Sequence, residues 1–65
     1  MSNKAQMKNT IKQITGFNCG IRDNGSFWTI SNKDSDKGSF GKFEQEIKSL
    51  FNVTRFDGGS FNIQK

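Results

Sequence analysis

Apolar residues near the start of the chain repeat with the period of an α-helix. Met7, Ile11 and Ile14 are spaced four and three residues apart, so they would share one face of a helix. We predict that this helix covers residues 3–15. Its expected caps are Ser2 or Asn3 at the beginning and Gly16 after the end.

A second helical pattern follows in the middle of the chain, and we predict a helix over residues 40–51 with Ser39 as its cap. Gly41 early in this helix costs up to about 1 kcal/mol relative to alanine, which allows the helix to begin at Lys42 instead. The apolar face of the helix is expected to consist of Phe40, Phe43, Ile47, Leu50 and Phe51.

Two glycine-containing turns, each between two short apolar segments, predict two β-hairpins. The first hairpin is expected to pair residues 17–22 with 26–31 around Asn24-Gly25, a strong hairpin signal. The second is expected to pair residues 52–56 with 60–64 around Asp57-Gly58-Gly59.

The predicted order α-β-β-α-β-β describes one α+β domain over residues 1–65. It divides into an αββ half at 1–31, a linker at 32–38 and an αββ half at 39–65. Six of the eleven residues in 17–27 recur 34 positions later, which indicates an internal repeat. We therefore expect a two-layer sandwich, in which two helices cover one face of a four-stranded antiparallel sheet and the halves are related by a pseudo-twofold axis.

The first hairpin has one register that fits an Asn24-Gly25 turn. That register pairs Asp23 with Ser26, Arg22 with Phe27 and Ile21 with Trp28. Alternation along the strands then places Phe27 beside Arg22, on the face away from the core. The core face is expected to carry Phe17, Cys19, Ile21, Trp28 and Ile30.

The second hairpin has two possible registers. A two-residue turn groups Thr54, Phe56, Phe61 and Ile63, whereas a three-residue turn groups Val53, Arg55, Phe61 and Ile63. Because a slip of one residue reverses every face, the faces of Phe56 and Phe61 stay open at this point. The repeat also equates Phe27 with Phe61, although alternation exposes the first and buries the second.

The positive charge of the chain is concentrated at its beginning. The 65 residues carry a net charge of +4. Residues 1–22 contain Lys4, Lys8, Lys12 and Arg22 and no acidic residue, whereas residues 23–65 contain six basic and six acidic residues. The three lysines are four residues apart, so they form one ridge along the first helix.

Few residues of the chain are suited to catalysis or metal binding. There is no histidine, the commonest general base, and Cys19 is expected to be an inert core residue. No calcium-binding, zinc-binding, phosphate-binding or dinucleotide-binding motif is present. We therefore expect a protein that is not an enzyme and has no metal and no cofactor.

One partial resemblance is to a family of enzymes. A helix followed by Gly16-Phe17, a strand with Arg22 and then Gly25-Ser26 resembles the beginning of the HicA-type RNA-cleaving toxins. In that family a histidine follows the Gly-Ser pair, and this chain has Phe27 there. The resemblance covers about a third of the chain and lacks the catalytic residue, so we do not assign the chain to this family.

The lysine ridge and an accessible aromatic residue favour a nucleic-acid-binding module that contacts DNA or RNA. The composition, rich in Asn, Lys, Ser, Gly and Phe, suggests a phage or another mobile element as the source. The candidate binding residues, for nucleic acid or an acidic partner, are Lys4, Lys8, Lys12, Arg22, Phe27 and Arg55.

Two other interpretations are consistent with the same residues. A phage-type inhibitor could bind an acidic surface of a host protein, such as a defence nuclease complex, in an anti-CRISPR-like role. A homodimer could form through sheet faces or edges. No apolar run approaches 18 residues and no secretory pattern is present, so we expect no membrane span and a location in the cytoplasm, that of the host for a phage protein.

Overall fold

The structure, a computed structural model, describes residues 4–65. It confirms an α+β fold with two helices and a four-stranded antiparallel sheet, in the predicted order. The predicted caps Ser2 and Asn3 lie outside the described residues. The elements are α1 (Lys4–Thr15), β1 (Cys19–Asp23), β2 (Phe27–Asn32), a 3-10 turn (Phe40–Phe43), α2 (Glu44–Leu50), β3 (Val53–Asp57) and β4 (Ser60–Gln64).

The second helical segment is shorter and less regular than predicted. Ser39 caps the 3-10 turn, since its Oγ accepts a hydrogen bond from the N–H of Gly41 at 3.2 Å. The α-helical part begins only at Glu44. Leu50 was predicted to share the apolar face of this helix with Ile47, but it is 59% exposed and does not pack into the core. The reason is its position at the last residue of α2, where Ile47 already fills the core beneath the helix.

The sheet has the strand order β1-β2-β4-β3, so β1 and β3 are its two edges. The predicted register of the first hairpin is wrong. The N–H of Asn24 donates to the carbonyl oxygen of Phe27 at 2.9 Å, which makes Gly25-Ser26 the turn. Gly25 has a φ of 88° and Ser26 does not have a positive φ, as in type II′ hairpins. The cross-strand pair is therefore Asp23 with Trp28.

The second hairpin combines features of both registers considered from the sequence. Its turn is the two-residue one, because Phe56 pairs with Phe61. An irregularity between Val53 and Arg55 then adds one residue to β3, and Val53 pairs with Ile63. The extra residue shifts the alternation of side chains in β3 by one position, so Val53 faces the same side of the sheet as Phe56. Val53 and Phe56 can therefore both pack against the core, which no single alternation allows.

The core is built from buried side chains of both helical segments and of the sheet. Phe40 lies near its centre, with its ring centroid 5.0 Å from that of Phe61 and 6.3 Å from that of Phe17. Phe27 and Phe61, equated by the repeat, differ in environment, because Phe61 is buried and Phe27 only half-buried. The largest fully buried residues are Phe40, Phe61, Ile11, Ile30 and Ile47.

Candidate nucleic-acid interface

The three lysines of α1 follow the length of the edge strand β1. The chain reverses direction at Gly16, so α1 and β1 run antiparallel and are in contact. At one end the Nζ of Lys12 donates to the Oδ1 of Asn18 at 3.0 Å. At the other end the Nζ of Lys4 lies 5.8 Å from the ring centroid of Trp28, which pairs with the last residue of β1. All three lysines are exposed.

A fourth lysine, Lys33, joins this row from the turn after β2. Its N–H donates to the carbonyl oxygen of Asn18 at 3.0 Å. Its side chain lies across Gly20, where the Cε would be 3.0 Å from an added Cβ, so a larger residue at Gly20 would displace it. We refer to Lys4, Lys8, Lys12 and Lys33 as the lysine edge.

Sequence reasoning missed Lys33 because its position depends on the register of the first hairpin. Asn32 pairs with Cys19 in that register, so the residue after Asn32 reaches the beginning of β1. The predicted Asn24-Gly25 turn would have paired Asn32 with Phe17 and so placed Lys33 two residues away from its observed position. A polar turn containing a lysine directly after a strand was the only signal in the sequence.

An open groove of about 660 Å³ separates α1 from the turn that carries Lys33. Its lining includes three lysines and one carboxylate, that of Asp34, which accepts a hydrogen bond from the N–H of Asn18 at 2.7 Å. The groove therefore offers a cationic, amide-rich surface to a ligand. The lining residues are Ala5, Lys8, Asn9, Lys12, Asn18, Cys19, Lys33 and Asp34.

Cys19 lies at the base of this groove and is almost completely buried. Burial raises the pKa of its thiol, although the charges of Lys8 and Lys33 act in the opposite direction. The neutral thiol is a poor nucleophile, since thiolate is the reactive form. Cys19 thus fits a packing role, as its strand position suggested.

The carboxylate at the far end of β1 is already engaged. The Nζ of Lys65 lies 2.6 Å from the Oδ1 of Asp23. This hydrogen bond, together with the one from the N–H of Gly25, lowers the pKa of Asp23. Within residues 4–65 no ion pair joins a lysine of the lysine edge to a carboxylate.

The other three candidate residues lie on the sheet face opposite to the core, which we call the outer face. Cross-strand pairing forms one row across all four strands, with Arg22 and Arg55 at its ends and Thr29 and Asn62 between them. The Oγ1 of Thr29 donates to the Oδ1 of Asn62 at 3.0 Å. Phe27 lies two residues before Thr29 on β2 and pairs with Gln64.

The six candidate residues therefore occupy two adjoining surfaces rather than one. Lys4, Lys8 and Lys12 belong to the lysine edge, and Arg22 on β1 lies where that edge meets the outer face. Arg55 is on the opposite edge strand, three strand spacings or about 14 Å away from Arg22. Arg22 is on the edge strand that the lysines follow, whereas Arg55 is on the other edge strand of the sheet.

The fold and this site define a small α+β protein with a cationic edge on its sheet. No family model, curated protein or solved structure matches the chain. Residues 4–65 contain no cluster of three or more histidine, cysteine or acidic side chains that could hold a metal ion. Across the same residues, no helix has the length and hydropathy needed to cross a membrane.

Proposed function

We propose that this protein is a small, non-enzymatic nucleic-acid-binding module whose lysine edge contacts the phosphate backbone. One observation carries the proposal: four lysines line one edge of the sheet without an ion-paired carboxylate among them. Cations arranged in this way replace the counterions of a polyanion, and the released counterions drive binding.

The dimensions of the lysine edge suit a short stretch of backbone. Lys4 and Lys12 are eight helical residues apart, which corresponds to about 12 Å along the axis of α1. Each of the four lysines can contact one phosphate, so we expect three to four phosphate contacts with one strand. Lys33 faces Lys8 and Lys12 across the groove, so a phosphate there would meet cations from two sides.

The outer face supports a single strand over a duplex. Arg22 adjoins the lysine edge, and Phe27 offers part of its ring on the same face as Thr29. Aromatic rings and guanidinium groups stack on unpaired bases, and hydroxyl and amide groups such as those of Thr29 and Asn62 bond to base edges. A duplex would hide its bases from these groups.

The test is fluorescence anisotropy with labelled 12-nucleotide single strands of DNA and RNA and the matching duplex, over a range of sodium chloride concentrations. With three to four phosphates contacted, log affinity should fall with log salt with a slope of about −2 to −3. Replacing both Lys8 and Lys12 by glutamine should reduce affinity at least tenfold at low salt and make the slope about 1.4 units shallower.

The matched control is Lys42→Gln, which removes one exposed lysine from the 3-10 turn, away from the lysine edge. It should leave affinity within about twofold, since distant exposed charges are screened. Equal losses from Lys42→Gln and from the double variant, or binding that does not respond to salt, would contradict the proposal.

The second candidate is an inhibitor that inserts the lysine edge into an acidic groove of a host protein, such as a defence nuclease complex. The observation that favours it is the net charge of +4, which is modest for a protein that binds nucleic acid. Absence of oligonucleotide binding at low salt, combined with nuclease-resistant capture of a protein that the Lys8/Lys12 variant fails to capture, would favour this inhibitor.

A further inference from the structure

A second surface, on the other side of α1, is mainly apolar rather than cationic. Leu50 is the one large hydrophobic residue with high exposure among the described residues. It borders a hollow of about 430 Å³ with Met7, Trp28, Phe51 and Ile63. We call this surface the apolar hollow; its polar margin consists of Asn52, Gln64 and Lys65.

A second recess, more polar than the apolar hollow, lies on the other side of Leu50 along α1. This smaller depression of about 280 Å³ shares Met7, Leu50 and Phe51 with the hollow and is closed by Gln6 and Thr10. A partner segment lying along the groove between α1 and α2 would therefore contact Leu50 from both sides. Single exposed apolar residues are ordinary, but Leu50 borders a concave recess lined mainly by apolar side chains, and binding sites usually have this form.

The charge at the margin of the apolar hollow is positive. The Nζ of Lys65 lies 4.2 Å from the centroid of the Trp28 ring, and that of Lys4 lies 5.8 Å away. Asp23 is the carboxylate paired with Lys65, and Lys4 has no ion pair within residues 4–65. The Trp28 end of the hollow therefore has one cation without an ion pair among the described residues, Lys4, beside the Lys65–Asp23 pair.

We propose that the apolar hollow docks an acidic segment of another protein, which places one large apolar side chain against Leu50 and Phe51. A carboxylate of that segment would lie next to Lys4. This proposal shares Lys4 with the lysine edge but does not depend on nucleic-acid binding, because Lys8, Lys12 and Lys33 line the groove and none of them lines the hollow.

Two other occupants fit the surface less well. Nucleic acid gains little from a recess lined mainly by Met7, Leu50, Phe51 and Ile63, since its backbone requires cations and hydrogen-bond donors. A second copy docked symmetrically would add two more cations, Lys4 and Lys65, and only one carboxylate, Asp23, to an interface that is already positive. This excess of positive charge disfavours the dimer.

The probe is a library of random 12-residue peptides displayed on phage and selected against the full chain. We expect the enriched peptides to be acidic and to contain at least one large apolar residue. Binding of a synthetic version should change the emission of Trp28, which is the only tryptophan of the chain and lies in the hollow.

The diagnostic variant is Leu50→Gln, which is expected to retain the fold because Leu50 is 59% exposed. It should weaken the selected peptides at least tenfold, whereas Gln45→Ala, an exposed change elsewhere on α2, should not. The Lys8/Lys12 double variant should keep peptide binding, and Leu50→Gln should keep oligonucleotide binding, so the two proposals fail separately.

Three results would overturn the inference. The first is enrichment of basic or uncharged peptides, or of none. The second is equal binding to the wild type and to Leu50→Gln. The third is a wild-type dimer in sedimentation that Leu50→Gln converts to a monomer, which would show that a second copy occupies the apolar hollow.

Discussion

Asp23 connects the end of β1 to the tryptophan of the apolar hollow through one ion pair. Its carboxylate holds Lys65, whose Nζ lies over the ring of Trp28. The hydrogen bond from Lys65, followed by that from Gly25, keeps the pKa of Asp23 below the usual value of 3.8. The stabilisation is therefore present above pH 3.8 and is lost as the pH falls through the pKa of the folded state.

This ion pair predicts an acid transition that Trp28 fluorescence reports. As the pH falls from 5 to 2, protonation of Asp23 releases Lys65, and emission should change with a midpoint below 3.8. Asp23→Asn should abolish that step, whereas Asp36→Asn, at an exposed aspartate of the turn after β2, should preserve it. A step that persists in Asp23→Asn would contradict the assignment.

Gly38, at the end of the linker, lies directly against a core side chain. A Cβ added there would lie 2.8 Å from the Cζ of Phe17, whose ring is buried. Because an aromatic ring inside a packed core cannot move freely, Gly38→Ala should lower the free energy of unfolding by about 1–3 kcal/mol. Urea denaturation followed by circular dichroism measures the difference.

Gly59 provides the matched control for Gly38. It has no heavy atom within 4 Å of an added Cβ and does not have a positive φ. Gly59→Ala should therefore leave stability unchanged or raise it by up to about 1 kcal/mol, because alanine reduces the entropy of the unfolded chain. Equal destabilisation by both substitutions would remove the contact with Phe17 as the explanation.

At the scale of elements, most of the fold could be predicted from the sequence because the local signals agree. The spacing of Met7, Ile11 and Ile14 gave a helix ending at residue 15, and α1 ends at Thr15. Glycine-containing turns gave two hairpins with strand ends within one or two residues of those observed. The four-stranded antiparallel sheet followed from these elements.

The registers could not be predicted because competing turns are chemically equivalent in the sequence. Asn24-Gly25 suits a type I′ turn and Gly25-Ser26 suits a type II′ turn, so composition does not choose between them. In β3 the bulge between Val53 and Arg55 adds a residue that no alternation rule anticipates. The registers of both hairpins therefore depend on tertiary packing, which the local sequence does not show.

The candidate site was predictable only where one element carries it. Lys4, Lys8 and Lys12 belong to one helix, so periodicity alone placed them together. Lys33 joins them through the strand register, and Leu50 forms the apolar hollow because α2 ends there. Surfaces that form only where two or more elements pack together were therefore not predicted from the sequence.

At the scale of the whole molecule, positive charge gathers on the α1–β1 side and is balanced elsewhere. Lysines four residues apart on α1 repel each other, and that helix has no acidic residue to offset them. On α2, by contrast, Lys48 and Glu44 form an ion pair at i and i+4. A domain of 65 residues has little stability to spare, so uncompensated repulsion fits selection for a ligand.

The same lysines lie beside the edge strand β1 and hinder its pairing with a strand of another molecule. The lysine edge therefore has a structural role as well.

This asymmetry predicts opposite stability changes for two neutralising substitutions. Lys8→Gln removes the repulsion of Lys8 with Lys4 and with Lys12, so it should raise the free energy of unfolding by about 0.5 kcal/mol at low salt. Lys48→Gln removes the attraction to Glu44 and should lower it by about 0.3–0.5 kcal/mol. Urea denaturation at 20 and 300 mM sodium chloride should show both differences shrinking as salt screens the charges. If Lys8→Gln destabilised the protein instead, the lysine edge would be part of what holds α1 against the sheet, and the argument that its charges are maintained for a ligand would lose its basis.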